Sequence, residues 1–136
     1  MDEEAPPEVV TVEAISVDPN NCALDCELNI AMSFTALQSL PQARWEIRFI
    51  ADQAHKRKIV ELGSTPTQDY PVGEHSMNFS VPEVSVAHLS RHVLANVGLL
   101  LVVLYSGETE VLQVSMVTQV TPQDDVLIRS IFNPLE

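Results

Sequence analysis

The chain has 136 residues, with 19 acids against seven lysines and arginines, so its net charge is −12. Its hydrophobic fraction of 46% suits one domain with a modest core and argues against wholesale disorder. The acid excess disfavours nucleic acid and anionic membrane surfaces, which both call for a face rich in Lys and Arg, and leaves a basic protein partner open.

Residues 1 to 8, Met1-Asp2-Glu3-Glu4-Ala5-Pro6-Pro7-Glu8, read as an acidic flexible tail ahead of a single domain over 9–136. The tail lacks a basic n-region and an apolar h-region, so no secretory signal is expected. Val9 to Val17 is rich in Val, Thr and Ile and predicts a strand, ended by the turn-prone Asp18-Pro19-Asn20-Asn21. From Leu24 to Phe34 every second residue is apolar: Leu24, Cys26, Leu28, Ile30, Met32, Phe34. That period of two predicts a strand with one buried and one wet face. On such a strand Cys22 and Cys26 stand four steps, about 13 Å, apart, beyond the roughly 7 Å a disulfide tolerates. Both therefore read as reduced thiols of a nuclear or cytoplasmic protein, Cys26 as a buried structural one.

Leu40-Pro41 interrupts the chain before a third strand, in which Trp45, Ile47 and Phe49 alternate with Arg44, Glu46 and Arg48. The basic cluster His55-Lys56-Arg57-Lys58 leads into a short strand at Ile59 to Leu62, and its charges suit protection of a sheet edge. Gly63 to Gly73, with Pro66 and Pro71, reads as loop. Met77, Phe79 and Val81 alternate with polar residues in a further strand that Pro82 ends. Val86, Leu89 and Val93 have helical spacing, which fits a short crossover. Val93 to Leu104 is the most apolar run; it is too short to span a bilayer, and Leu99 to Leu104 reads as a buried strand. A hairpin turn at Tyr105-Ser106-Gly107-Glu108 returns the chain as a strand from Val111 to Val120, and a short tail carries Ile128, Ile131 and Phe132. Seven to eight antiparallel strands with little helix predict an all-β, immunoglobulin-like sandwich.

Signs of catalysis are weak. The four glycines are scattered singly, so no phosphate-cradling loop and no G-x-S-x-G elbow exists. His88 and His92 have the i, i+4 spacing of helical metal ligands but lack a third ligand and read as surface histidines. Acid pairs such as Asp124-Asp125 and Glu108/Glu110 sit beside turns, not in the desolvated pocket a general acid needs. The expectation is a binding protein with no catalytic residue, metal, cofactor or small-molecule substrate. The strand from Val111 to Val117 carries apolar residues on both faces, so it is either sandwiched or presents a patch to a partner.

The order of several segments resembles the anti-silencing-function-one histone chaperones. These are Leu40 to Ile47, Tyr70 to Phe79, Val97 to Gly107, Glu110 to Ser115 and the closing Ile131-Phe132-Asn133-Pro134. The resemblance spans residues 9 to 134 and implies an elongated immunoglobulin-like sandwich. It also implies a function: escort of the dimer of histones three and four in nucleosome assembly. The C-terminal helix of histone three would lie on a partly apolar sheet face, a histone-four strand would pair at an edge, and assembly factors would bind a second, acidic site.

On this sequence the family's histone-binding positions fall at Arg57, at Glu61, within Leu99 to Leu101, at Gln113 and near Val117, and the candidate partner-binding residues are Arg57, Glu61, Leu99, Leu101, Gln113, Ser115 and Val117. Arg57 reverses an acid, Glu61 keeps one, and Gln113 replaces an arginine and loses its bidentate fork. Gln42 and Arg44 stand where the assembly-factor site has acids. These charge changes motivate an alternative: a divergent member repurposed as a non-histone interaction or structural subunit, for example of a cytoskeletal or ciliary assembly.

Overall fold

A computed structural model describes residues 9–135; the acidic segment 1–8 and Glu136 lie outside the described residues. The strands are β1 (Val10–Asp18), β2 (Cys22–Ala23), β3 (Leu28–Ala36), β4 (Leu40–Ala51), β5 (Lys58–Ser64), β6 (Gln68–Tyr70), β7 (Gly73–Val81), β8 (Gly98–Ser106), β9 (Thr109–Gln123) and β10 (Val126–Ile131), with one short helix, α1 (Arg91–Leu94). The described residues are 64% strand and 3% helix and form an all-β sandwich of curled antiparallel sheets. One sheet runs β1-β3-β7; the other runs β2-β10-β9-β8-β4-β5, with β6 also pairing to β4.

Alternation builds the interior. Leu28, Ile30, Met32 and Phe34 of β3 point inward, as do Trp45, Ile47 and Phe49 of β4 and Leu100, Val102 and Leu104 of β8. The rings of Phe34 and Trp45 meet edge to face at 5.3 Å, and Phe34 meets Tyr70 at 5.1 Å, which joins the two sheets. Where β8 begins, a Cβ on Gly98 would lie 2.6 Å from the Ile50 carbonyl oxygen, so only glycine lets β4 and β8 close at that end.

Several expectations need correction. The strand predicted from Leu24 begins at Leu28, because residues 24–26 form a turn. The loop from Gly63 to Gly73 contains β6, which pairs with β4. The supposed tail is β10, registered against β9 from Val126↔Gln123 to Ile131↔Thr118. Among the described residues this makes ten strands, the two-residue β2 and three-residue β6 included, within the all-β sandwich that was expected. The crossover is helical only at Arg91–Leu94. His88 lies outside that helix, so it does not share a helical face with His92.

The cysteine geometry is the largest correction. The 22–26 turn brings the two Sγ atoms to 2.9 Å, both thiols are free and partly buried, and the separation expected of a straight strand does not apply. A single side chain of β10 organises this turn. Arg129 is 2% exposed. Its Nη1 donates to the carbonyls of Leu24 (3.0 Å) and Cys26 (3.3 Å), and its Nη2 to those of Pro19 (3.0 Å) and Glu27. A buried cation answered by carbonyl dipoles holds the irregular 19–27 segment against the sheet.

Candidate protein-binding face

The residues of β4, β8 and β9 that do not point inward share the outer face of the larger sheet, and strand register sorts them into rows. Ile59, Ile50, Leu99 and Val117 lie side by side across β5, β4, β8 and β9. Phe132, whose backbone N–H donates to the Val117 carbonyl at 2.9 Å, extends this row. Glu61, Arg48, Leu101 and Ser115 form the next row; Glu46, Val103 and Gln113 the third; Arg44 and Tyr105 the fourth.

The centre of this face is apolar. Ile50, Leu101 and Val103 form a cluster separate from the core, with Leu99 and Tyr105 packed against it. Its ends are bare: Ile59 is 59%, Val117 47% and Phe132 53% exposed. An apolar row that runs across several strands and opens to solvent at its ends is the kind of patch that marks an interaction surface.

Charge lines one flank. Arg44 Nε bonds Glu46 at 2.8 Å, Glu46 also pairs with Arg48, and Arg48 Nε reaches Glu61 at 3.0 Å. The Arg44 guanidinium lies over the Tyr105 ring, 4.7 Å from its centre. The Tyr105 hydroxyl does most to push the Arg48 pKa above the ordinary arginine value; burial opposes it, and the Glu61 carboxylate adds to the rise. The four charges alternate in sign and cancel, so the chain's acid excess does not reside in this ladder.

Six of the seven residues singled out in the sequence, Glu61, Leu99, Leu101, Gln113, Ser115 and Val117, come together here. Gln113 Nε2 donates to Ser115 Oγ at 3.2 Å. Arg57 stands apart. It is exposed in the turn between β4 and β5, has a φ of 49°, and donates from Nη1 to the Gln53 carbonyl at 3.2 Å. Asp52, 4% exposed, shapes this turn. Its carboxylate accepts from the Lys56 N–H at 3.2 Å and its carbonyl from the N–H groups of His55 and Arg57. The turn therefore displays His55, Lys56, Arg57 and Lys58 beside β5, which ends the larger sheet, and edge protection is consistent with that position.

Sequence reading missed Glu46, Arg48, Ile50, Val103 and Tyr105 as members of the face. The alternation of Arg44, Glu46 and Arg48 opposite Trp45, Ile47 and Phe49 already placed the three charges on one side. What it lacked was the pairing that sets them beside Leu101 and Val103.

Among the described residues no group of three or more His, Cys, Asp and Glu side chains could hold a metal ion, and no helix is long and apolar enough to cross a membrane. A groove of about 490 Å³ lies elsewhere, between the 86–94 segment and the 23–25 and 125–127 segments, lined by Leu24, Val86, Leu89, Leu94 and Leu127 among others. Its arginine, Arg91, already donates to the carbonyls of Asp124 and Asp125. Compared with known proteins, the chain matches no family model and no curated protein.

Proposed function

We propose that the protein is a binding domain whose larger sheet presents its outer face to a protein client, and that this client is the dimer of histones three and four, bound in the course of nucleosome assembly. The client follows from the resemblance in motif order to the anti-silencing-function-one chaperones. One observation carries the reading: six residues chosen from that resemblance lie on one face, around an apolar cluster separate from the core. In this mechanism Leu99, Leu101 and Val117 cover an apolar client surface. Gln113 and Ser115 supply hydrogen bonds at the rim, and the net charge of −12 draws a basic client in.

The cancelled charge ladder favours a second reading. Because Arg44, Glu46, Arg48 and Glu61 neutralise one another, the face gives a basic client little local attraction. That suits a non-histone client of an interaction or structural subunit.

Titration with the dimer of histones three and four at near-physiological salt separates the two, with Leu101→Arg as control. Tight one-to-one binding that Leu101→Arg abolishes supports the histone reading. Weak binding that fades with salt and ignores the substitution reflects long-range charge alone and transfers the face to another client.

A further inference from the structure

The outer face leaves the 19–27 segment unused, and this segment holds both cysteines of the chain. Their Sγ atoms are 2.9 Å apart and share a hydrogen bond. That separation is too short for a metal between them, since two thiolates on one tetrahedral zinc, each about 2.3 Å from it, stand nearly 4 Å apart. It is close to the S–S bond length of about 2.05 Å, so ring closure needs less than about 1 Å of movement. The surroundings hold the pair in place. Cys22 Sγ also lies 3.6 Å from the Pro19 carbonyl oxygen, and Arg129 clamps the carbonyls of Pro19, Leu24, Cys26 and Glu27. Both thiols remain partly open to solvent.

We infer that Cys22 and Cys26 form a reversible dithiol–disulfide site, oxidised by exchange with a small-molecule disulfide. Burial, then the hydrogen bond shared with Cys26, push the Cys22 thiol up to about 11, although the Arg129 charge opposes them. The Cys22 sulfur is also the more enclosed of the two, and the more exposed Cys26 sulfur begins the exchange. The Cys26 thiolate attacks one sulfur of oxidised glutathione and expels one glutathione thiolate. The Cys22 sulfur then attacks the Cys26 sulfur of the mixed disulfide and expels the second. The protons of the two cysteines pass to the two glutathiones. The pair loses two electrons, and one oxidised glutathione becomes two reduced ones.

The test equilibrates the full chain in buffers of graded reduced-to-oxidised glutathione ratio, quenches with acid and weighs the tryptic fragments. Arg44 is the first Lys or Arg, so both cysteines fall in the fragment 1–44. At oxidising ratios this fragment is expected to lose two hydrogen atoms and carry no glutathione, and reductant should restore it. Cys22→Ser should instead trap a glutathione adduct on Cys26. A wild-type chain that keeps both thiols throughout the series, retains a stable adduct, or cross-links to a second copy overturns the proposal.

Discussion

The protein has two apolar clusters on opposite faces of the same strands, and they are closed in different ways. The inner cluster is sealed by a second sheet: Trp45, Ile47, Val102 and Leu104 are 0% exposed and Phe34 of β3 lies against Trp45. In the outer one, Ile50, Leu101 and Val103 are covered at the centre, while the same row ends in exposed Ile59 and Val117. Burial on the inner face stabilises the fold. An exposed apolar row does not, and under the proposed function it meets a client. Substitutions should therefore separate the two clusters by what they damage.

The largest effect is expected inside. Trp45→Ala removes the side chain that joins β4 to Phe34 and leaves a cavity, which should lower the unfolding free energy by about 3–5 kcal/mol. Denaturant unfolding measures it; a loss below about 1 kcal/mol would mean that the inner cluster does not hold the sheets together.

Arg129→Met comes next. It keeps much of the side-chain volume but strands the carbonyls of Pro19, Leu24, Cys26 and Glu27. The cost should be on the order of 3 kcal/mol, read by the same unfolding series. Since the 22–26 turn then loses its clamp, the Cys22 and Cys26 thiols should also react faster with a maleimide. An unchanged midpoint would show that the turn holds itself.

How far these positions are legible in the sequence follows from the range of the interactions. Alternation is local, so the inward residues of β3 and β4 can be read directly, and the unbroken run Leu99 to Leu104 announces a strand apolar on both faces. Arg129 cannot be read that way. It is a lone arginine in what resembles a tail, and its partners lie more than 100 residues away in sequence. The cysteine pair fails for a related reason: period two continues through Leu24 and Cys26 although the backbone there turns. Of the outer face, the motif order supplied the residues of β8 and β9, while the charges of β4 became part of it only through register.

Leu101→Arg places a cation at the centre of the outer cluster, beside Arg48 on the neighbouring strand. A long side chain there can carry its charge out to solvent, so stability should fall by only about 1–2 kcal/mol, while client binding should be lost. If the fold collapses instead, the outer cluster is structural and the distinction between the two faces fails.

Glu61→Gln should have the smallest effect on the fold and the sharpest meaning for the client. The Glu61 side chain is 65% exposed, against 20% for Glu46, and both pair with Arg48. An exposed pair of this kind is worth under about 1 kcal/mol and is screened by salt, so the unfolding midpoint should barely move, and Glu46 should continue to hold Arg48. The local charge of the face, however, shifts from neutral to positive. A basic client such as the histone dimer should then bind several-fold more weakly at low salt, and the difference should close as salt is added. A client that presents acids should bind more tightly. The direction of that one change distinguishes the two readings of the outer face without disturbing the inner one.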